Sequence, residues 1–294
     1  MAKIKDSLEF LAFKAVKLLL SVVSRKLCLF IGRTVGYFFY FLDKRHRYTA
    51  LSNLEAALGS ELSTSELKGI AKNSFKYFGE VFLDLLKLSD FSQRKLEQLI
   101  TVEGEENLQN ALQEGKGALL FSAHYGNWEI ASFFVSKKGK LSVIARALDN
   151  KFLEKELIQI RTNFGARVIY KHQATKQILR TLQAKEMVAI LIDQNVLRSE
   201  AVFVDFFGKQ AATTPSLATF FLRTKAPLLP VFCYPSSSHT YNIKILKPLE
   251  IVLKGDYNQD VLKITQLCTK IIECQIRKNP IYWFWFHDRW KTRP

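Results

Sequence analysis

The stretch GALLFSAHYGNWEIASFFVS (residues 117–136) decides the fold. Its first seven residues, 117–123, form a short apolar run without helical spacing, introduced by Gly115 and Gly117. Gly126 then marks a turn, and 128–136 resumes with apolar residues as a helix. An apolar strand passing through a tight turn into a helix is half of a βαβ unit. The downstream sequence repeats the pattern. LSVIARAL (141–148) reads as a strand and 150–164 as a helix ending at Gly165. ARVIY (166–170) is a strand, 173–184 a helix and MVAILID (187–193) a strand. After an irregular stretch, Pro215 starts a helix that runs to Lys225. PLLPVFCY (227–234) and the edge-like YNIKILKP (241–248) are strands joined by a Ser-rich turn, and 258–278 is helical. Upstream, 49–58, 64–88 and 92–100 carry helical spacing, with Ser63 or Thr64 placed to cap the second of these. The expected fold class is α/β: a central, largely parallel mixed sheet flanked by helices. The expected organisation is an N-terminal membrane-associated helical segment over 1–47 and a single α/β domain over 48–294.

The composition narrows the partners. The 294 residues carry a net charge of +16, 48% are hydrophobic, 13% are aromatic and 23 are Phe. A basic chain favours anionic partners: nucleic acid, anionic lipid headgroups or acidic carrier proteins. The charge is concentrated at the start, where residues 1–47 hold ten Lys/Arg against three Asp/Glu. A basic and apolar N-terminus fits a bilayer better than DNA. The α/β region has no Lys/Arg stripe with interleaved aromatics, which argues against a nucleic-acid binder. Cys28, Cys233, Cys268 and Cys274 have no C-x-x-C spacing and read as free thiols in a reducing compartment. There is no metal motif, P-loop or G-x-G-x-x-G, and no cofactor is implied. His46, His172, His239 and His287 show no ligand spacing.

In residues 8–25, Lys14, Lys17, Ser21, Ser24 and Arg25 form one narrow stripe on an otherwise apolar helix. A second apolar run (27–42) is interrupted by Arg33. Neither reaches 18 uncharged residues, and a secretory signal peptide fits poorly. Three readings stay open: an interfacial anchor, a short tilted span with the DKRHR cluster (43–47) on the cytoplasmic side, or a pair of buried helices.

His124 and Glu129 lie at the junction of strand and helix, where open α/β sheets gather their active sites. A His and an acid five residues apart across a Gly turn can fold towards each other. Glu129 is then expected to accept the proton of one imidazole nitrogen, leaving the other as a base facing a cleft. No protein nucleophile accompanies the pair, which suits direct attack by a substrate hydroxyl. The helix starting near Asn127 would offer N–H groups to a developing oxyanion. An isolated H-x4-E arises by chance, so agreement along the rest of the chain matters.

That agreement exists. The chain resembles the bacterial lipid A biosynthesis late acyltransferases, the lauroyl/myristoyl transferases, within the wider lysophospholipid and glycerolipid acyltransferase superfamily. The resemblance covers nearly the whole length. It rests on HYGNWE (124–129), SVIARAL with Arg146, LIDQN with Asp193 and Gln194, VDFFGKQAATTP (204–215), PLLPVF with Pro230, and the ending YWFWFHDRWKTRP (282–294). Asn195 stands where the family often has Arg or Lys, and Ala147-Leu148-Asp149 where Pro is frequent. These departures bear on acceptor preference.

The resemblance implies an acyltransferase at the bacterial inner membrane, with its catalytic domain on the cytoplasmic side. Its donor would be an acyl-carrier-protein thioester and its acceptor a hydroxyl of a phosphorylated glucosamine lipid, the lipid A precursor. His124 would be the general base and Glu129 its orienting acid. Arg146 would contact a phosphate, and Asp193 would bind a sugar hydroxyl or pair with Arg146. Gln194 belongs to the same substrate-binding block. Asn127 would donate to the oxyanion or brace the turn. Phe206 and Phe207 would line an acyl tunnel or pack in the core, Thr213 or Thr214 would cap the helix begun by Pro215, and Arg289, Lys291 and Arg293 would offer positive charge to phosphate or carrier. A sibling reading keeps the chemistry but takes acyl-CoA as donor and another glycolipid or a lysophospholipid as acceptor.

Overall fold

The computed structural model describes residues 2–171, 174–236 and 239–294. His172 and part of the Ser-rich turn, residues 237 and 238, lie outside the described residues.

The chain opens with four helices: α1 (Ala2–Val22), α2 (Arg25–Leu42), α3 (Lys44–Leu58) and α4 (Thr64–Leu88). Their starts are written in side chains. Ser24 accepts from the Leu27 amide to cap α2, and Asp43 accepts from the His46 amide to cap α3. Ser63 and Glu66 form a reciprocal capping box at α4. The DKRHR cluster is therefore the first turn of a helix, and α3 begins earlier than sequence spacing suggested.

The two long helices α2 and α4 approach at backbone distance. A Cβ on Gly32 would stand 2.5 Å from the Gly79 carbonyl oxygen, and one on Gly36 would stand 2.1 Å from that of Phe75. Only residues without a side chain permit this approach. Beneath the crossing, Arg25 donates twice to the fully buried Asp84, with both N···O distances 2.7 Å. No helix among the described residues is long and apolar enough to cross a membrane. The outer faces of α1 and α2 nevertheless expose Leu8, Leu11, Leu18, Leu19, Phe30, Phe38, Phe39 and Leu42.

The rest alternates as expected. A short helix α5 (Gln93–Glu97) leads to β1 (Ile100–Glu103) and α6 (Glu105–Gln113). Then come β2 (Ala118–Ser122), α7 (Trp128–Ser136), β3 (Leu141–Ala145), α8 (Lys151–Asn163), β4 (Ala166–Tyr170), α9 (Ala174–Gln183) and β5 (Met187–Leu191). A two-stranded antiparallel hairpin, β6 (Val202–Phe206) and β7 (Lys209–Thr213), occupies most of the stretch read as irregular. The chain closes with α10 (Ser216–Thr224), β8 (Leu228–Pro235), β9 (Tyr241–Ile245), α11 (Tyr257–Lys278) and an extended tail.

Seven strands form one sheet in the order β1-β9-β8-β2-β5-β3-β4. All neighbours are parallel except β8 and β9. The strand β9, read from sequence as an edge, is covered by β1 and is internal. Helices cover both faces, so β2 is apolar throughout: Leu119 and Phe121 join one core with α9, α10 and α11, while Ala118 and Leu120 join the other with α6 and α7. Of the four free cysteines, Cys28, Cys233 and Cys268 are buried and behave as core residues, and Cys274 is exposed.

Candidate active site

The central strand β2 ends at Ser122, and the turn 123–127 carries the chain into α7. Gly126 has φ +65°, and a Cβ there would fall 1.6 Å from the Cys233 carbonyl oxygen. No other residue fits. Three main-chain hydrogen bonds fasten the turn: Gly126 N–H to the Tyr282 oxygen (2.8 Å), Asn127 N–H to the Cys233 oxygen (3.0 Å) and Phe284 N–H to the His124 oxygen (2.9 Å). Asn127 is fully buried. It caps α7 by accepting from the Ile130 amide and donates to the Tyr241 hydroxyl at 3.0 Å. That hydroxyl donates in turn to Asp84 at 2.6 Å. Of the two roles expected for Asn127, bracing the turn is the one it performs. The expected oxyanion donors are partly taken, since the amides of Asn127 and Ile130 are bound within the protein.

The His124 ring nitrogen Nδ1 lies 2.9 Å from Asp193 Oδ1, and the His124 amide donates to Asp193 Oδ2 at 2.9 Å. Among the described residues, this is the carboxylate in hydrogen-bond contact with the imidazole. Asp193 follows β5, the neighbour of β2, so the two strand ends meet across the sheet. Burial alone would push the Asp193 carboxyl up. The charge and hydrogen bonds of His124, with the Trp283 indole N–H, outweigh it and hold the carboxyl below its ordinary value. An anionic acceptor at Nδ1 fixes the neutral ring as the Nδ1–H tautomer, leaving the lone pair on Nε2. The Gln194 amide nitrogen stands 3.5 Å from that Nε2. The ring of Trp128 meets the imidazole edge-on at 5.0 Å, and Phe284 lies 6.3 Å away. Behind them Phe78 and Phe82, from α4, continue an aromatic wall.

Glu129 is not the partner of His124. It is buried in the first turn of α7, which directs its carboxylate to α8, where Arg161 embraces it: Nε lies 3.2 and 3.1 Å from the two oxygens and one terminal nitrogen lies 2.6 Å from Oε1. The Trp128 indole N–H also donates to Oε1, at 3.1 Å. Burial would lower the Arg161 pKa, but the charge and hydrogen bonds of Glu129 raise it above its usual value. Glu129 thus shares the ring wall of His124 through Trp128. The buried Asp193, occupied by His124 and Trp283, is not placed to bind a sugar or to pair with Arg146. Arg146 is highly exposed beyond β3, and its contact is with Asp149 at 3.3 Å.

Other expectations change for the same reason, that tertiary neighbours claim the side chains. Phe206 packs in the core against Trp283 and Trp290, and Phe207 beside it is buried as well. Thr213 is a buried acceptor, and it is the Thr214 hydroxyl that accepts from the Ser216 amide at the start of α10. Arg289 is only 1% exposed. It donates to the Ala212 oxygen and the Thr213 hydroxyl, lies 5.2 Å from the Phe206 ring centre, and burial draws its pKa down to about 10. It is therefore not a surface charge for a carrier. Sequence reading passed over Arg161, for which spacing holds no signal because its partner lies 32 residues away on another helix. Nor does spacing hold a signal for the contact of the tail residue Trp283, whose indole N–H reaches Asp193, 90 residues away.

The family model described as bacterial lipid A biosynthesis acyltransferase matches residues 5–292. A relative named phosphatidylinositol mannoside acyltransferase, from Mycobacterium tuberculosis, is 24% identical over 74% of this chain and 69% of its own length. Two Escherichia coli relatives cover 90% of this chain. One, a lipid A biosynthesis palmitoleoyltransferase, is 24% identical over 85% of its own length. The other, a lipid A biosynthesis myristoyltransferase, is 21% identical over 79% of its length.

Proposed function

From the premise that this chain belongs to the bacterial lipid A biosynthesis acyltransferase family, and is an acyltransferase, we propose that it moves a fatty acyl chain from an acyl-carrier-protein thioester to a hydroxyl of a phosphorylated glycolipid of the lipid A precursor type. The observation that carries the mechanism is the His124 ring, held at Nδ1 by Asp193, with Gln194 beside Nε2 and the rings of Trp128 and Phe284 about the imidazole. His124 Nε2 takes the acceptor hydroxyl proton as that oxygen attacks the thioester carbon. The new C–O bond forms, the C–S bond breaks, and the imidazolium returns its proton to the leaving thiolate. Asp193 stabilises the imidazolium without itself taking the proton. Gln194, beside Nε2, orients the incoming hydroxyl. Glu129, fixed by Arg161, acts on the reaction by holding Trp128 against the imidazole. Arg146, exposed at the carboxyl edge of the sheet, meets a phosphate of the acceptor or donor.

The basic, apolar surface of α1 and α2 supports docking at the cytoplasmic face of the inner membrane, with residues 1–47 as its anchoring segment. The positive net charge also suits an acidic carrier protein. A second reading takes acyl-CoA as donor and another glycolipid or a lysophospholipid as acceptor; the name of the mycobacterial relative is compatible with such an acceptor and leaves the donor open. Competition between the two donors for the purified protein separates these readings.

The test of the mechanism is His124→Ala. Transfer is expected to fall by about 10² to 10⁴, with circular dichroism and vesicle binding unchanged. Turnover near that of the unaltered protein would eliminate His124 as the base. Mass spectrometry of lipid A from cells with and without the gene reads the acceptor: loss of one acyl chain is expected.

A further inference from the structure

The tail after α11 does more than close the core. Residues 282–285 run alongside the His124 turn, with Tyr125 and Trp283 bridged in antiparallel fashion and hydrogen bonds from Gly126 to Tyr282 and from Phe284 to His124. From this strap the Trp283 indole N–H donates to Asp193 Oδ2 at 2.7 Å. The same oxygen accepts the His124 amide, while Oδ1 faces His124 Nδ1. The indole has little room to turn away. It is 2% exposed and wedged edge-on between Trp285, at 4.5 Å, and Phe206, at 5.5 Å. A carboxylate bonded at one oxygen only can rotate about its side chain. Here two N–H groups on Oδ2 fix the plane in which Oδ1 meets the imidazole.

We propose that Trp283 is a positioning residue for acyl transfer, its indole N–H locking the Asp193 carboxylate so that Oδ1 stays on His124 Nδ1–H. This rests on the reading of His124 as the base. Other charged or titratable groups face this unit. From the tail come His287, whose Nε2 accepts the Asn195 amide at 3.0 Å, and the buried Arg289. Asp288 acts on His287, while Glu129 on α7 is turned away to Arg161.

The test uses the full chain, an acyl-carrier-protein thioester donor and a phosphorylated glucosamine lipid acceptor, with released thiol followed across the titration range of histidine. Trp283→Phe keeps the ring packing and removes the donor. The expected result is a fall in kcat of about ten- to hundredfold, the worth of one hydrogen bond to a buried charge, with KM little changed. The acidic limb of kcat/KM is expected to move to higher pH, because Asp193 without the indole donor concentrates more charge on the imidazolium. Trp285→Phe is the control. Its indole donates to the Pro280 oxygen, at 2.7 Å, so an equal loss of packing is expected to leave the limb in place. If Trp283 acts through Asp193, adding Trp283→Phe to Asp193→Asn costs nothing further; multiplied losses would mark a merely structural role.

A second measurement needs no change at Trp283. In 15N-tryptophan-labelled protein, with the signals of the other three tryptophans assigned by substitution, the Trp283 indole shift is expected to follow His124 protonation and to stop doing so in His124→Ala. Unaltered kcat and limb in Trp283→Phe, or an indole shift indifferent to His124, would overturn the proposal. Full activity in His124→Ala would instead remove the reading beneath it.

Discussion

At the level of single residues, the decisive pairing joins side chains 69 positions apart, His124 and Asp193. The imidazole could be recognised in HYGNWE as a candidate base, because a His at the carboxyl end of a buried strand faces a crevice. Its partner could not. Glu129 was the nearest acid along the chain, yet helix geometry directs it to Arg161, and the neighbouring strand end supplies Asp193. Asp193→Asn is expected to lower kcat by about 10² to 10⁴ while leaving the fold intact, since a neutral amide neither fixes the Nδ1–H tautomer nor stabilises the imidazolium. Steady-state kinetics beside a melting curve reads both. The buried Arg289 had the same kind of hidden partner. Nothing in YWFWFHDRWKTRP separates a guanidinium buried against a phenyl ring and a carbonyl from one in water.

Among the elements, those bounded by local chemistry were legible. The Ser63 or Thr64 cap, the Gly165 stop and the turn at Gly126 placed α4, α8 and α7 within a residue or so of their observed ends. The β6–β7 hairpin was not legible. Its two-residue turn is Phe207-Gly208, and both have positive φ, 58° and 74°. A Phe in that region is disfavoured locally, so the usual Asn-Gly cue is missing. Tertiary contacts hold it there: the Phe207 amide donates to Glu273 on α11 at 2.9 Å, and Arg277 sits 4.6 Å over its ring.

Element packing also reaches the site, because α4 carries Phe78 and Phe82 beside Trp128 and Phe284 while its other side receives Gly32 and Gly36 of α2. Gly36→Leu is expected to destabilise by about 1–3 kcal/mol or more through overpacking. That shift lowers Tm by roughly 3–10 °C in differential scanning fluorimetry, and turnover falls with it as α4 is displaced.

On the scale of the whole molecule, net charge and exposed apolar helices act together. The protein is expected to co-sediment with vesicles containing anionic phospholipid and to release as salt rises, because surface charge is screened within about 10 Å at 0.1 M salt. Replacing Phe30 and Leu42 by Asp is expected to weaken that partitioning by about tenfold or more, with activity on detergent-dispersed acceptor less affected. Sedimentation at two ionic strengths measures the first effect and the paired variant the second. The amino-acid order alone determined the alternation of strands and helices, the largely parallel sheet and the placing of His124 at its carboxyl edge, because these follow from spacing between near neighbours in the chain, and it carried the blocks whose resemblance points to the family. Only the tertiary structure decided that Asp193 and Trp283 hold the imidazole, that Glu129 belongs to Arg161, that Arg289 is interior and that β9 is internal. These contacts join residues from different strands and helices, and the sheet order that brings them together is set by packing on both faces at once.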